Sequence, residues 1–143
     1  MTRRKLVAGN WKMNGSLAAL AELDAIAVAA RAHPAVDVAI ALPATLIAPA
    51  VQRVPGLAFG GQDVHAAESG AHTGCLSASM LAEAGASFTI VGHSERRADQ
   101  GETSQDAWAK ASAAHRHGLG VILCVGETDA ERDAGRAARV VQA

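Results

Sequence analysis

Asn10 and Lys12 close the first apolar run of the chain, Leu6-Val7-Ala8, inside the stretch GNWKMNG. Side chains two apart share a face of a strand. Ala8, Asn10 and Lys12 are therefore expected on one face, with Val7 and Trp11 on the other. One face then ends in an amide and an ammonium suited to a polar site, and the opposite face ends in a ring suited to packing under helices. A second polar cluster follows the run Phe88-Thr89-Ile90-Val91: Gly92, His93, Ser94, Glu95, Arg96 and Arg97. If strand geometry persists there, His93 and Glu95 share a face. If a helix starts instead, His93 sits near the positive end of its dipole, which disfavours the imidazolium and leaves a neutral ring able to donate a hydrogen bond. A lysine at a strand end is commonly a solvated edge, and a loop histidine is commonly satisfied by its neighbours. Position alone makes both clusters hints.

The other chemistry-bearing residues read as structural. Cys75 and Cys124 are far apart, without C-x-x-C or metal-ligand spacing, and are expected as reduced thiols. Cys124, at the end of an apolar run, reads as a packed small hydrophobe. His115 and His117 are two apart on a helical stretch, so they diverge and lack the i, i+4 geometry of a zinc helix. His33, His65 and His72 sit at a helix end or in a polar loop, and no three histidines form a metal pattern. Glu127 reads as a helix-start residue. Gly60-Gly61 and Gly118-Leu119-Gly120 do not form a G-x-G-x-x-G after a strand, and no Walker motif is present.

Five short apolar runs recur: 6–11, 36–42, 57–61, 88–92 and 121–126. Between them lie alanine-rich stretches of helical spacing, such as Leu20, Leu23, Ala27 and Ala30. Ser16 and Ser77 are candidate N-caps, and Gly85 a candidate helix stop. Thr103 and Asp106, like Thr128 and Glu131, have capping-box spacing. Pro49 within the second connection predicts a short helix there. The pattern is five β–α units in one domain spanning 1–143, with no linker or low-complexity tract. It implies a parallel sheet covered by helices, either an open doubly wound sheet or part of a (β/α) barrel. Both place ligands at the carboxyl ends of strands.

Half of the 143 residues are apolar and the net charge is −1, a balance that fits a globular chain with one core and argues against nucleic acid as partner. Two Trp, two Phe and no Tyr leave little for stacking on bases. No apolar run approaches the ~20 residues of a membrane helix. The basic start Met-Thr-Arg-Arg-Lys is followed by too short an apolar run for a signal peptide. A cytoplasmic location is expected.

The segments AGNWKMNG, GAHTG, VGHSERR and CVGET occur in that order, and together they resemble the triosephosphate isomerase family. The resemblance covers essentially the whole chain, and NWKMN and GHSERR are its most specific parts. It implies a (β/α)8 barrel, here an incomplete one of about five parallel strands with their helices. It also implies interconversion of dihydroxyacetone phosphate and glyceraldehyde 3-phosphate through an enediolate, without cofactor or metal. By resemblance Lys12 meets the substrate phosphate and the developing oxyanion, Asn10 positions Lys12 and the substrate, and Trp11 belongs to the same binding segment. His93 polarises the carbonyl and relays protons, Glu95 is the buried acid beside Lys12, and Ser94 orients its neighbours. Thr73, Gly74 and Cys75 would lie on a loop reaching into a second subunit, making a homodimer, with Arg96 as the arginine that pairs with an acid of that loop. Cys75 stands where the family usually has Glu or Asp, and His72 where an aromatic ring is common.

The resemblance also implies parts that these 143 residues do not contain. They are a general-base glutamate ending a sixth strand, a mobile lid and two later phosphate loops; a full barrel runs to roughly 250 residues. The chain by itself is expected to be inactive and marginally folded. The alternatives are a non-catalytic half-barrel that associates through its edges, and a doubly wound binder of phosphorylated sugars.

Overall fold

The computed structural model describes residues 3–143; Met1 and Thr2 of the basic N-terminal stretch lie outside the described residues. Strand β1 is Lys5–Asn10, followed by a 3-10 turn at Ala18–Ala21 and helix α1, Glu22–Ala32. Then come β2 (Val36–Ala41), α2 (Ala44–Arg53), β3 (Ala58–Gly61), α3 (Ala78–Glu83) and β4 (Phe88–Val91). Helices α4 (Ser94–Gln100) and α5 (Ser104–Arg116) lead to β5 (Gly120–Leu123), and α6 (Asp129–Asp133) and α7 (Ala137–Gln142) follow.

The sheet order is β1-β2-β3-β4-β5 and every pair is parallel. A doubly wound sheet reverses its strand order at a switch point. No reversal occurs here, so each crossover advances in the same direction and the sheet curls into an open half-barrel. Alternation along the strands divides the apolar residues accordingly. Ile40, Leu42, Phe59 and Val91 join Leu23, Leu46, Ile47 and Leu81 in the large core between sheet and helices. Ala39, Ala41, Phe88 and Ile90 form a smaller cluster on the other face of the sheet, flanked by Ala58, Ile122 and Cys124. The small residues there have a reason. A methyl group added at Gly60 would come 2.6 Å from the Phe88 ring. Gly60→Ala is expected to cost about 1–3 kcal/mol through overpacking, read as a lower urea midpoint at unchanged slope.

The outer edges of β1 and β5 have no strand partner among the described residues. Leu6 and Val7 on β1 and Leu123 at the end of β5 are each more than half exposed.

The caps follow the sequence. Ser77 accepts from the Met80 N–H, and both threonine capping boxes form, Thr103 with Asp106 and Thr128 with Glu131. Ser16 accepts from the Ala19 N–H, yet the segment it opens is a 3-10 turn that converts to α-helix only at Glu22. Two expectations are corrected. Helix α2 runs ten residues with Pro49 inside it; Leu46, Ile47 and Ala50 are buried, and that burial outweighs the backbone bond proline cannot make. Strand β5 stops at Leu123 and β1 at Asn10, short of the apolar runs that suggested them. The connection after β4 carries two helices, because Gly101 adopts φ 65° and ends α4 before Thr103 starts the next.

No helix among the described residues is long and apolar enough to cross a membrane.

Candidate active site

The carboxyl ends of β1, β3 and β4 open on one cavity of about 390 Å³ lined by Asn10, Lys12, Gln62, His93, Glu95 and Arg96, among others. Lys12 reaches it by leaving the strand. Its φ is +53°, the only positive φ among described non-glycine residues, and a non-glycine residue there costs of order 1–3 kcal/mol. The alternation that predicted its face therefore fails at its own position. Two hydrogen bonds hold the conformation: the Lys12 N–H donates to Asn10 Oδ1 at 2.9 Å, and Gln62 Nε2 donates to the Lys12 carbonyl at 2.7 Å. Gln62 also donates to Asn10 Oδ1 at 3.1 Å. Lys12 Nζ meets Glu95 Oε1 at 2.6 Å with both side chains about half exposed, so Glu95, expected as a buried acid, instead lies on the open rim of the cavity. The hydrogen bond from Lys12 holds the Glu95 carboxyl below its ordinary range, outweighing the opposing effect of desolvation.

His93 is the N-cap of α4, so of the two geometries considered the helical one forms. Its Nδ1 accepts from the Glu95 N–H at 3.2 Å. In a neutral ring that leaves the proton on Nε2, which is then the donor. Ser94 opens α4 and is exposed, but it does not line the cavity. Trp11, expected with the binding residues, also lies off the cavity. Its ring packs against the large core and sits over Gly15, while its backbone N–H donates to the Ala41 carbonyl. Parity accounts for this: Trp11 continues the outer face of β1.

Gly74 and Cys75 line the same cavity, and Thr73 is exposed on the loop that carries them. Arg96 has two acidic partners within the chain. It contacts Asp63 at 3.0 Å and Glu102 at 3.0 Å within the chain. Lys110 Nζ contacts the same two carboxylates at 2.7 and 2.6 Å. Glu102 is nearly inaccessible, its side chain 4% exposed, and its other oxygen accepts from the Gly92 N–H at 3.0 Å. Burial pushes the Glu102 carboxyl up, but hydrogen bonds from Lys110 and Arg96 outweigh it and hold the group below the ordinary glutamate range. A carboxyl depressed in the folded state contributes stability that is present above its unfolded value and lost as pH falls through the folded one. The thermal midpoint is therefore expected to fall as pH drops below roughly 4.3, the ordinary glutamate value, and to change little between pH 6 and 8 on this account. Heating scans from pH 3 to 8 measure it.

Arg97 ties the ends of two strands, donating to the Gly92 carbonyl at 2.7 Å and the Cys124 carbonyl at 3.1 Å. Cys124 packs in the smaller apolar cluster, and burial raises its thiol. Glu127 and Glu131 are engaged elsewhere, Glu127 with Arg132 and Glu131 in its capping box. Gln62, Asp63, Glu102 and Lys110 were not singled out from sequence. Gln62 and Asp63 follow directly on the third apolar run, so the strand-end rule that found Lys12 and His93 also reaches them. Glu102 and Lys110 carry no comparable signal.

Parallel β/α units in sequential order, with a polar cavity on the carboxyl ends of the strands, define part of a (β/α)8 barrel. The model of the triosephosphate isomerase family matches residues 5–143. The chain is 60% identical over 141 residues to a triosephosphate isomerase of Afipia carboxidovorans, covering 96% of this chain and 56% of that protein. It is 55% identical to one of Dinoroseobacter shibae, covering 97% and 57%. Its fold superposes on the crystal structure of triosephosphate isomerase from Bartonella henselae with a TM-score of 0.90 at 44% identity, covering 98% of this chain and 58% of that one. The chain belongs to the triosephosphate isomerase family. It spans somewhat more than half the length of the curated relatives it matches.

Proposed function

We propose that these residues form the electrophilic, phosphate-meeting part of an active site that interconverts dihydroxyacetone phosphate and glyceraldehyde 3-phosphate through an enediolate. The observation that carries this reading is the convergence of Lys12 and the His93 ring on one cavity, Lys12 in a strained backbone held by Asn10 and Gln62. Proton transfer from a carbon next to a carbonyl builds negative charge on the carbonyl oxygen, and preset donors stabilise that charge. Nε2–H of His93 supplies one such donor and the Lys12 ammonium supplies charge for both oxyanion and phosphate. Glu95 tempers the ammonium until substrate arrives.

Glu95 itself makes a poor general base, because an ion-paired carboxylate of depressed pKa has little proton affinity to offer. Glu127 and Glu131 are committed elsewhere. By resemblance the base is a glutamate that ends a sixth strand, beyond these residues. A homodimer with Thr73 of one subunit reaching the site of another belongs to the same reading; the exposed loop of Thr73, Gly74 and Cys75 supports it.

The test is a coupled isomerisation assay on the purified 143-residue polypeptide, beside His93→Gln. Omission of a positioned base typically costs on the order of 10²–10⁴ in rate, so turnover is expected to be at least that far below a complete family member. Residual turnover that survives His93→Gln unchanged would remove His93 from the mechanism. The exposed edges of β1 and β5 favour a second reading, association through those edges, for which light scattering showing only monomer across the micromolar range counts against it.

A further inference from the structure

We propose that the Asp63, Arg96, Glu102 and Lys110 cluster is a positioning frame that sets the His93 side of the site in register with the Lys12 side. The cluster is a closed ring of alternating charge. Arg96 and Lys110 each contact both carboxylates, at 2.6 to 3.0 Å. Its members come from different places: Asp63 follows β3, Arg96 is in α4, Glu102 lies between α4 and α5, and Lys110 is in α5. Each carboxylate also connects to one side of the site. Glu102 accepts from the N–H of Gly92, the residue preceding His93. Asp63 is the chain neighbour of Gln62, whose amide holds both the Asn10 side chain and the Lys12 carbonyl.

Gly92 sits in a crowded turn. Its φ is +68°, and a methyl group there would meet the Arg97 guanidinium at 2.8 Å and the Ala107 Cβ at 3.0 Å. Gln62 holds the strained Lys12 through its carbonyl. A shift of Asp63 relative to Glu102 therefore changes the spacing of His93 and Lys12 at once. Short contacts from Arg96 and Lys110 resist that shift, because each cation bridges the two acids and keeps both hydrogen bonds only while both acids are in reach. The inference rests on the functional reading above for what Lys12 and His93 do. The frame itself is read without substrate.

The experiment uses the ¹⁵N-labelled chain with Asp63→Asn. Asp63 shares the cavity with His93 and adjoins Gln62, so the Gly92 amide, which is bound to Glu102 on the far side of the two cations, is the signal that reads the frame. The expected result is exchange of the Gly92 amide faster by about tenfold or more, the signature of a local opening. Shifted resonances of the His93 ring nitrogens and of the Gln62 side-chain amide are expected with it. Asp63→Glu, which keeps the charge, restores the Gly92 protection. A lower melting temperature with the Gly92, His93 and Gln62 signals unchanged overturns the proposal, since a merely stabilising cluster behaves that way. Should Asp63→Asn not fold, the same signals are read in Arg96→Lys, which keeps the charge and loses the fork; unchanged signals there overturn it equally. Titration of the unsubstituted chain with glycerol 3-phosphate separates the two readings. Absence of binding counts against the functional reading and leaves the frame result standing.

Discussion

Lys110→Met is expected to destabilise the chain by about 3 kcal/mol, the low end of the 3–5 kcal/mol typical when one partner of a buried ion pair is removed. The lysine side chain is 12% exposed and Glu102 is 4% exposed. Methionine matches the aliphatic stem but leaves two carboxylates facing one remaining cation, Arg96. Glu102 keeps Arg96 and the Gly92 N–H, and Asp63 keeps Arg96 and some solvent, which is why the low end applies. The whole stability of a domain is only about 5–15 kcal/mol, and here two sheet edges and part of the sheet's apolar surface are open. A loss of that size brings the chain close to unfolding at room temperature. Urea unfolding followed by circular dichroism measures the change, with Arg4→Ala as contrast. Arg4 makes a bidentate pair with Asp37 in which both side chains are more than half exposed, and removing an exposed pair is expected to change little. Equal losses in the two variants would mean that burial does not set the value of the cluster.

The sequence was most legible where period and capping chemistry act alone. Five strands, the parallel arrangement and two capping boxes follow from residues within a few positions of one another. Strand-end position led to Asn10, Lys12, His93 and Glu95, and the cavity contains all four. The misreadings share a cause. The face of Lys12 was assigned by alternation, but alternation ends where side-chain bonds from Asn10 and Gln62 turn the backbone. Pro49 was weighed by its missing N–H, while burial of Leu46, Ile47 and Ala50 decided the helix. The choice between an open doubly wound sheet and a barrel rests on strand order, which period does not encode. Motif resemblance pointed to the barrel, and the parallel order of the strands agrees. Glu102 and Lys110 were illegible for a related reason. Charged residues on or near a helix usually face solvent, and only the tertiary arrangement brings these two against Asp63 and Arg96.

Arg96 has partners within the chain in addition to the one the resemblance implies. The resemblance gave it a partner on a loop where Cys75 replaces the usual acid. In this chain its guanidinium is already shared between Asp63 and Glu102, so the thiol at position 75 does not leave it unpaired. Arg96 lines the cavity, yet its charge is committed. Of Lys12 and Arg96, Lys12 is the one whose partner is a half-exposed carboxylate, open to competition from an anion in the cavity.

That distinction makes Lys12→Met the most damaging single change for binding. A hydrogen bond to a charged group contributes about 1.5–3 kcal/mol, so affinity for glycerol 3-phosphate is expected to fall roughly 10- to 150-fold. The loss has a second source. Without Lys12, Glu95 no longer has the hydrogen bond that holds its carboxyl low, and it faces the anion as an unscreened negative charge. Lys12→Met with Glu95→Gln is therefore expected to bind better than Lys12→Met alone, though more weakly than the unsubstituted chain. Calorimetric titration at two ionic strengths measures all three. The unsubstituted chain should lose affinity with added salt, because the attraction is between partly exposed charges, and Lys12→Met should show a flatter dependence. If Lys12→Met binds as tightly as the unsubstituted chain, the phosphate is held elsewhere, and the strained conformation of Lys12 must serve some purpose other than aiming its ammonium.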